Sequence, residues 1–159
     1  MKHIFKSISV YFDGDYNLIG VPSAELKKWN VIVDIDKIQS LNAPYDDDKL
    51  ERFLKAVFDL CNSDTPKDFS KIPALQKYLG VKNYSTSVKK LGMVSLSWLN
   101  KQGYEIVPTW QNAKLKNAFN HLEEKTIKIV TDYTEGELAK SFRIALEQSP
   151  IGPMKNKPE

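Results

Sequence analysis

The sequence predicts an α+β domain, a largely antiparallel sheet packed with two main amphipathic helices and short extra helices. Three observations carry this. Residues 93–108 hold two strand-like runs around Asn100-Lys101-Gln102-Gly103, whose glycine suits the left-handed position of a hairpin. Leu50, Phe53, Leu54, Val57, Phe58, Leu60 and Cys61 recur at three- and four-residue spacing, the stripe of a helix with one buried face. Strands and helices do not alternate regularly, which argues against a parallel doubly wound sheet.

Residues 4–12 alternate, with Ile4, Lys6, Ile8 and Val10 on one side and Phe5, Ser7, Ser9 and Tyr11 on the other, as a strand does. Asp13-Gly14-Asp15-Tyr16-Asn17 is a turn, because Asp-Gly and Asn supply the positive φ a tight reversal needs. Residues 18–21 are expected to return as a short strand that stops at Pro22, which has no N–H for a ladder. The β-branched run at 29–35 reads as another strand or a helix–strand junction.

Pro44-Tyr45-Asp46-Asp47-Asp48 opens the helix of residues 49–61. An aspartate can cap the free N–H groups of a first turn, and further carboxylates suit the positive end of the helix dipole. Asn62-Ser63-Asp64-Thr65-Pro66 ends that helix. A short helix follows from 72–73 to 79, with Ser70 as its cap, Pro73 in the first turn and Gly80 just past the end. One or two helical turns are expected within 85–91. Beyond the hairpin, residues 126–130 form a third strand of that region. Thr134-Glu135-Gly136-Glu137 has the pattern of a capping box. The helix after it puts Leu138, Phe142, Ala145 and Leu146 on one stripe, with Lys140, Arg143 and Glu147 outside. Residues 1–148 then make one domain, and 149–159, with three prolines, a flexible C-terminal tail.

Composition narrows the function. The chain has 159 residues, 42% hydrophobic and 27% charged, which suits an ordinary globular domain. Its single cysteine, Cys61, excludes an internal disulfide and fits a reducing compartment. The first residues lack the apolar core of a secretory signal, and no run approaches the ~18 apolar residues of a membrane span. A cytoplasmic protein without membrane contact is expected. Net charge is +3, but residues 1–70 carry nine basic against twelve acidic side chains, and 71–159 fourteen against eight.

The chemistry-bearing residues form no familiar constellation. His3 and His121 lie in no motif that pairs them with a nucleophile. Cys61 falls on the apolar helix face, where a thiol behaves as a small hydrophobe. Asp13, Asp15 and Asn17 begin an EF-hand spacing, but Leu18 and Ala24 stand where that loop needs Gly and Glu. No Cys/His set has zinc spacing, and the glycines are scattered. Asp34 and Asp36 could project from one strand face as an acid pair, or serve as solvated edge charges. No catalytic residue, metal or cofactor is therefore expected, and the chain reads as a binding protein. An alternative is a small nucleic-acid-binding protein, with Lys89, Lys90, Lys101, Lys114, Lys116, Lys125 and Lys128 interleaved with Trp98, Tyr104 and Trp110. The shortage of arginine, with only Arg52 and Arg143, makes nucleic acid the weaker reading.

One stretch resembles a known family. Tyr84-Ser85-Thr86-Ser87-Val88-Lys89-Lys90 precedes Met93-Val94-Ser95-Leu96; then come Tyr104-Glu105-Ile106-Val107-Pro108-Thr109, Thr126-Ile127-Lys128-Ile129 and the capped helix from Thr134 to Glu147. This order resembles small bacterial proteins that include the immunity proteins of contact-dependent growth inhibition (CDI) systems. The resemblance covers the last two-fifths of the chain well and the first half only in length and layout. It implies a cytoplasmic protein that binds one-to-one the cognate CDI toxin C-terminal domain, commonly a nuclease, and neutralises it. It carries over no catalytic residue and no interface. Because nuclease clefts tend to be basic, the candidate toxin-binding residues are Asp46, Asp47 and Asp48 beside Tyr45, with Asp13, Asp15 and Tyr16 as a second acidic turn. Helix capping is the competing role for the aspartates.

Overall fold

The computed structural model describes residues 5–159. Ile4 at the start of the first expected strand, and His3, lie outside the described residues. The fold is α+β, a curled, largely antiparallel sheet with helices on both faces. β1 (Phe5–Phe12) pairs with β2 (Leu18–Leu26) on one side and with β5 (Gly92–Leu99) on the other. β5 continues by the expected hairpin into β6 (Gly103–Asn112). The outer side of β2 is shared, with β4 (Gln39–Leu41) opposite residues 18–20 and β3 (Val31–Asp34) opposite 23–26. The far side of β6 is shared by β8 (Ile127–Ile129) and β7 (Ala118–His121).

Several elements differ from the expectation for a physical reason. β2 runs on past Pro22 because Pro22 sits opposite Ile8 at the last rung shared with β1, and its carbonyl accepts from the Ile35 N–H at 3.0 Å. Likewise β6 passes through Pro108, whose carbonyl accepts from the Leu122 N–H at 2.8 Å. Gly103 has φ 96°, and a Cβ there would lie 2.0 Å from the Ile129 carbonyl oxygen, so only glycine lets β8 approach so closely. The segment 149–159, expected as a flexible tail, is docked. β9 (Pro153–Met154) pairs in parallel with β6 at Gln111 and Asn112, and the Gly152 N–H donates to the Leu91 carbonyl. Proline content misled there, because a strand of two residues needs few N–H groups.

α1 (Asp47–Asp59) and α4 (Glu137–Gln148) lie side by side on one face of the sheet. They bury Leu50, Phe53, Leu54, Val57 and Phe58 together with Leu138, Phe142 and Leu146 against Ile8, Val10, Leu18, Leu96 and Ile106. Each such side chain contributes roughly 1.5–3 kcal/mol on burial. Close approach is built in at Gly20, where an added Cβ would meet a Val57 methyl at 2.6 Å. On the opposite face α2 (Ala74–Leu79) and α3 (Tyr84–Val88) cover a smaller cluster around Tyr11, Val21, Leu75, Val88 and Met93. Ser70 does not cap α2, as its hydroxyl donates to the Ile72 carbonyl and Pro73 takes the cap position. Asn83 caps α3, accepting from the Thr86 N–H at 2.8 Å.

The expected capping box on α4 is only half formed. Glu137 accepts from the Thr134 N–H at 3.1 Å, but Gly136 occupies the cap position and has no side chain to offer. The missing acceptor comes from α1. Glu51, only 5% exposed, accepts from the N–H groups of Gly136 at 2.9 Å, Leu138 at 3.1 Å and Ala139 at 3.4 Å. A carboxylate buried among apolar neighbours is costly unless its lone pairs are filled, and the open N-terminus of a helix fills them.

On the other face, the Tyr11 and Tyr84 hydroxyls meet at 3.2 Å. Burial raises the pKa of both, and the charge of Asp34 adds to the rise. Asp34 itself is pushed up to about 6 by the protein mass around its carboxyl. The residue as a whole is exposed, so water tempers the cost of its charge.

Two outcomes follow from these contacts. Glu51→Ala should lower unfolding stability by roughly 2–4 kcal/mol and Glu51→Gln by about half that, since Gln keeps one acceptor oxygen. Urea denaturation measures both, and a loss no larger than an ordinary surface substitution gives would show that the cap is incidental. Asp34 titrates in the other sense. Its folded pKa lies above the unfolded value of about 3.9, so its charging in the fold removes stability as pH rises from there through about 6. Asp34→Asn should therefore gain stability over the parent progressively across that window and hold the gain above it. A difference independent of pH in parallel melts would contradict this.

Candidate functional site

The two acidic turns named from the sequence converge in space. The β1–β2 turn and the loop before α1 meet because the Asn17 side chain accepts from the Ala43 N–H at 2.9 Å and the Tyr45 hydroxyl donates to the Tyr16 carbonyl at 2.9 Å. α4 runs beside both. Together they form an open cleft of about 320 Å³ whose walls include Asp15, Tyr16, Pro44, Tyr45, Arg143 and Glu147.

The seven residues play different parts. Asp13 is spent on the turn. Its carboxylate accepts from the Asp15 N–H at 2.9 Å, the Asn17 N–H at 3.0 Å and the Asn17 side-chain amide at 3.0 Å. Burial opposes its charge, but these bonds together outweigh it and hold the carboxyl below its usual range. Asp46 caps α1, accepting from the Lys49 N–H at 2.8 Å. Asp48 pairs with Arg52 at 2.9 Å across one helical turn, both side chains largely in water. Asp47 meets Arg143 of α4 at 2.7 Å. The competing role of the aspartates as structural groups is thus visible for Asp13, Asp46 and Asp47. Asp15, Tyr16 and Tyr45 remain as cleft walls.

Tyr16 takes φ 63° at the tip of the turn, 46% exposed, its ring stacked over Phe12 with centroids 6.1 Å apart. Tyr45 is held at both ends. Its hydroxyl is anchored as described, and the Arg143 guanidinium lies 5.2 Å from its ring centroid while also donating to the Tyr45 carbonyl at 2.8 Å. Burial raises the Tyr45 pKa, and the guanidinium opposes that rise. The result is two held aromatic surfaces with few free torsions, the carboxylates of Asp15 and Glu147 in the same walls, and one cation already shared with Asp47. Such a site is suited to hold a complementary protein surface.

Arg143 was placed on the outer stripe of its helix, and no local pattern marks its partnership with Asp47, 96 positions away. The four-residue spacing of Asp48 and Arg52, by contrast, is a local pairing pattern.

Several lysines and aromatics of the alternative reading are engaged elsewhere in the fold. Trp110 is buried, so it offers no face for stacking. Lys128 is drawn to Glu105 at 3.6 Å, Lys125 donates to the backbone of Glu159, and Lys114 reaches Asn156. Trp98 and Tyr104 do share a wall, but with Lys6 and Lys55 from the first half of the chain and with Asp59. His121, exposed at the end of β7, makes a 3.3 Å contact with Glu123. Burial raises the Cys61 thiol, as expected of a cysteine on an apolar face.

Comparison with known proteins places the fold. A protein of unknown function from Neisseria meningitidis superposes with a TM-score of 0.68 at 14% identity, covering 93% of this chain and 98% of the other. A chain of the CdiA-CT/CdiI toxin and immunity complex from Yersinia pseudotuberculosis superposes with a TM-score of 0.64 at 12% identity, covering 91% and 97%. At such identities the likeness is one of fold. No curated protein matches the sequence. The family model for AtcA, adaptation to cold protein A, matches residues 19–146, well over half of the chain, and the chain therefore belongs to that family.

Proposed function

We propose that this chain acts by stoichiometric binding, as an immunity protein that occupies and neutralises the C-terminal toxin domain of a contact-dependent growth inhibition system in the bacterial cytoplasm. In this reading it has no catalytic residue and needs no cofactor. The observation that carries the reading is the cleft. Its tyrosines are held by their neighbours and its one arginine is shared with Asp47, while Asp15 and Glu147 are exposed in its walls. The rim is acidic although the chain as a whole is basic, with net charge +3. A partner with a basic cleft, such as a nuclease toxin, would be steered onto that rim and would bury Tyr16 and Tyr45 at the centre. The shared fold with a chain of a toxin and immunity complex, over 91% of this chain, supports the same reading.

A second reading rests on the family match over residues 19–146, whose description is adaptation to cold. There the chain would serve growth at low temperature, and the same cleft would bind a different protein.

Calorimetry with the toxin domain encoded beside the gene tests the first reading. A one-to-one complex is expected, and Tyr16→Ala or Tyr45→Ala should each weaken it by about 2 kcal/mol or more, roughly thirtyfold. Tyr78→Ala, in α2 and outside the cleft, should leave affinity unchanged. If no complex forms, and deletion of the gene slows growth only in the cold, the second reading replaces the first.

A further inference from the structure

We infer, resting on the reading that the cleft meets a protein partner, that the cleft takes one arginine side chain of that partner. Its guanidinium lies on the Tyr16 ring and donates to the carboxylates of Asp15 and Glu147.

Size limits the occupant first. At about 320 Å³ the cleft lies at the lower end of the roughly 300–1,000 Å³ of pockets that hold small molecules. It has room for the end of one long side chain and not for a helix or a folded loop.

Charge selects the sign. The walls contain one cation, Arg143, and the fold already uses it. Its Nε donates to Asp47 at 2.7 Å and its Nη2 to the Tyr45 carbonyl at 2.8 Å, with the guanidinium over the Tyr45 ring. An incoming anion would compete with Asp47 for that group and pass Asp15 and Glu147. Those two carboxylates are exposed in the walls, and among the described residues neither accepts a hydrogen bond or joins an ion pair. Asp13, Asp46, Asp47 and Asp48 differ, since each has a partner within the fold. The acceptor capacity left over in the cleft therefore suits a cation.

The aromatic wall selects guanidinium over ammonium. Tyr16 is 46% exposed, with Phe12 stacked on its ring. A guanidinium is flat and weakly hydrated, so it can lie on an aromatic face while its edge donates to carboxylates; a lysine ammonium is a compact, strongly hydrated point charge. The cleft shows this arrangement once already, in Arg143 over Tyr45 with Asp47 at its edge. Tyr16, with Asp15 beside it and Glu147 one turn beyond Arg143, repeats the combination of ring and acceptors without an internal cation. The turn is held for the purpose by Asp13, which accepts from the N–H groups of Asp15 and Asn17 on either side of Tyr16. Little ordering is then left to oppose binding.

A ¹⁵N NMR titration of the full chain tests this, with N-acetyl-arginine methylamide as the probe and its uncharged isostere N-acetyl-citrulline methylamide as the control. Saturable shifts are expected at residues 14–17, at 43 and 45 and along 143–148 with the arginine probe, and none with citrulline. The corresponding lysine probe should bind more weakly. Asp15→Asn combined with Glu147→Gln breaks no bond within the fold and should weaken the arginine probe about tenfold. Removing two charges at Asp64 and Asp68, in the loop after α1, should leave it unchanged. Shifts that fail to saturate, that citrulline reproduces, or that survive the double substitution in the cleft overturn the inference. Calorimetry with the toxin domain separates the two levels. A complex that depends on Tyr16 and Tyr45 but ignores the Asp15 and Glu147 substitutions keeps the toxin reading and overturns the arginine. If no complex forms, the toxin reading falls, and the arginine titration still decides for or against the inference.

Discussion

The carboxylate of Glu51 is the contact on which the arrangement of this molecule turns. α4 begins at a glycine, so its first N–H groups have no side-chain cap of their own. Glu51 supplies the acceptor from α1, while α1 and α4 both press apolar stripes onto the same sheet face. Hydrophobic burial alone would let two helices slide along their ridges, because it has no direction. Three hydrogen bonds to one buried carboxylate fix the distance and rotation between them. The polar contact contributes less free energy than the core, and it sets the register in which that core packs.

The cleft is a product of that register. Arg143 stands two turns beyond the capped end of α4 and can meet Asp47 and Tyr45 only if α4 lies where Glu51 holds it. Tyr45 is fixed in turn between Arg143 and the backbone of Tyr16. The chain of dependence runs from a buried cap through an ion pair to two ordered aromatic rings. The ion pair is about two-fifths exposed on each side, so as an isolated pair it adds little to stability. Its importance is positional. An ordered aromatic surface loses less entropy on binding than one that must first be immobilised.

Much of this was legible in the chain, and the illegible parts share a cause. The hairpin of β5 and β6, the stripe of α1, the α4 stripe and the Asp-Gly turn are local patterns, and each was read from residues within a turn or a strand of one another. Tyr45 with the aspartates was likewise read as a site beside a helix start, and Asp46 is the cap that composition suggested. What could not be read depends on distant partners. No local pattern marks Glu51, whose targets lie 85 to 88 positions on. Arg143 looked like an outer residue. Pro22 is expected to stop its strand and the prolines of 149–159 to loosen the chain, but where the ladder ends or the neighbouring strand only donates to the proline carbonyl, proline costs no hydrogen bond. Thr134 and Glu137 fitted a capping pattern that Gly136 displaced by shifting the helix start.

The central claim is that the Tyr16–Tyr45–Arg143 cleft is where this chain meets its protein partner. Hydrogen–deuterium exchange, with and without the partner that co-purifies with the chain, tests it most directly. Protection is expected at residues 14–17, at 43–46 and along the half of α4 that carries Arg143, with α2 and α3 unchanged. Protection confined to α2, α3 or the wall formed by Trp98 and Tyr104, with the cleft exchanging as in the free protein, would contradict it.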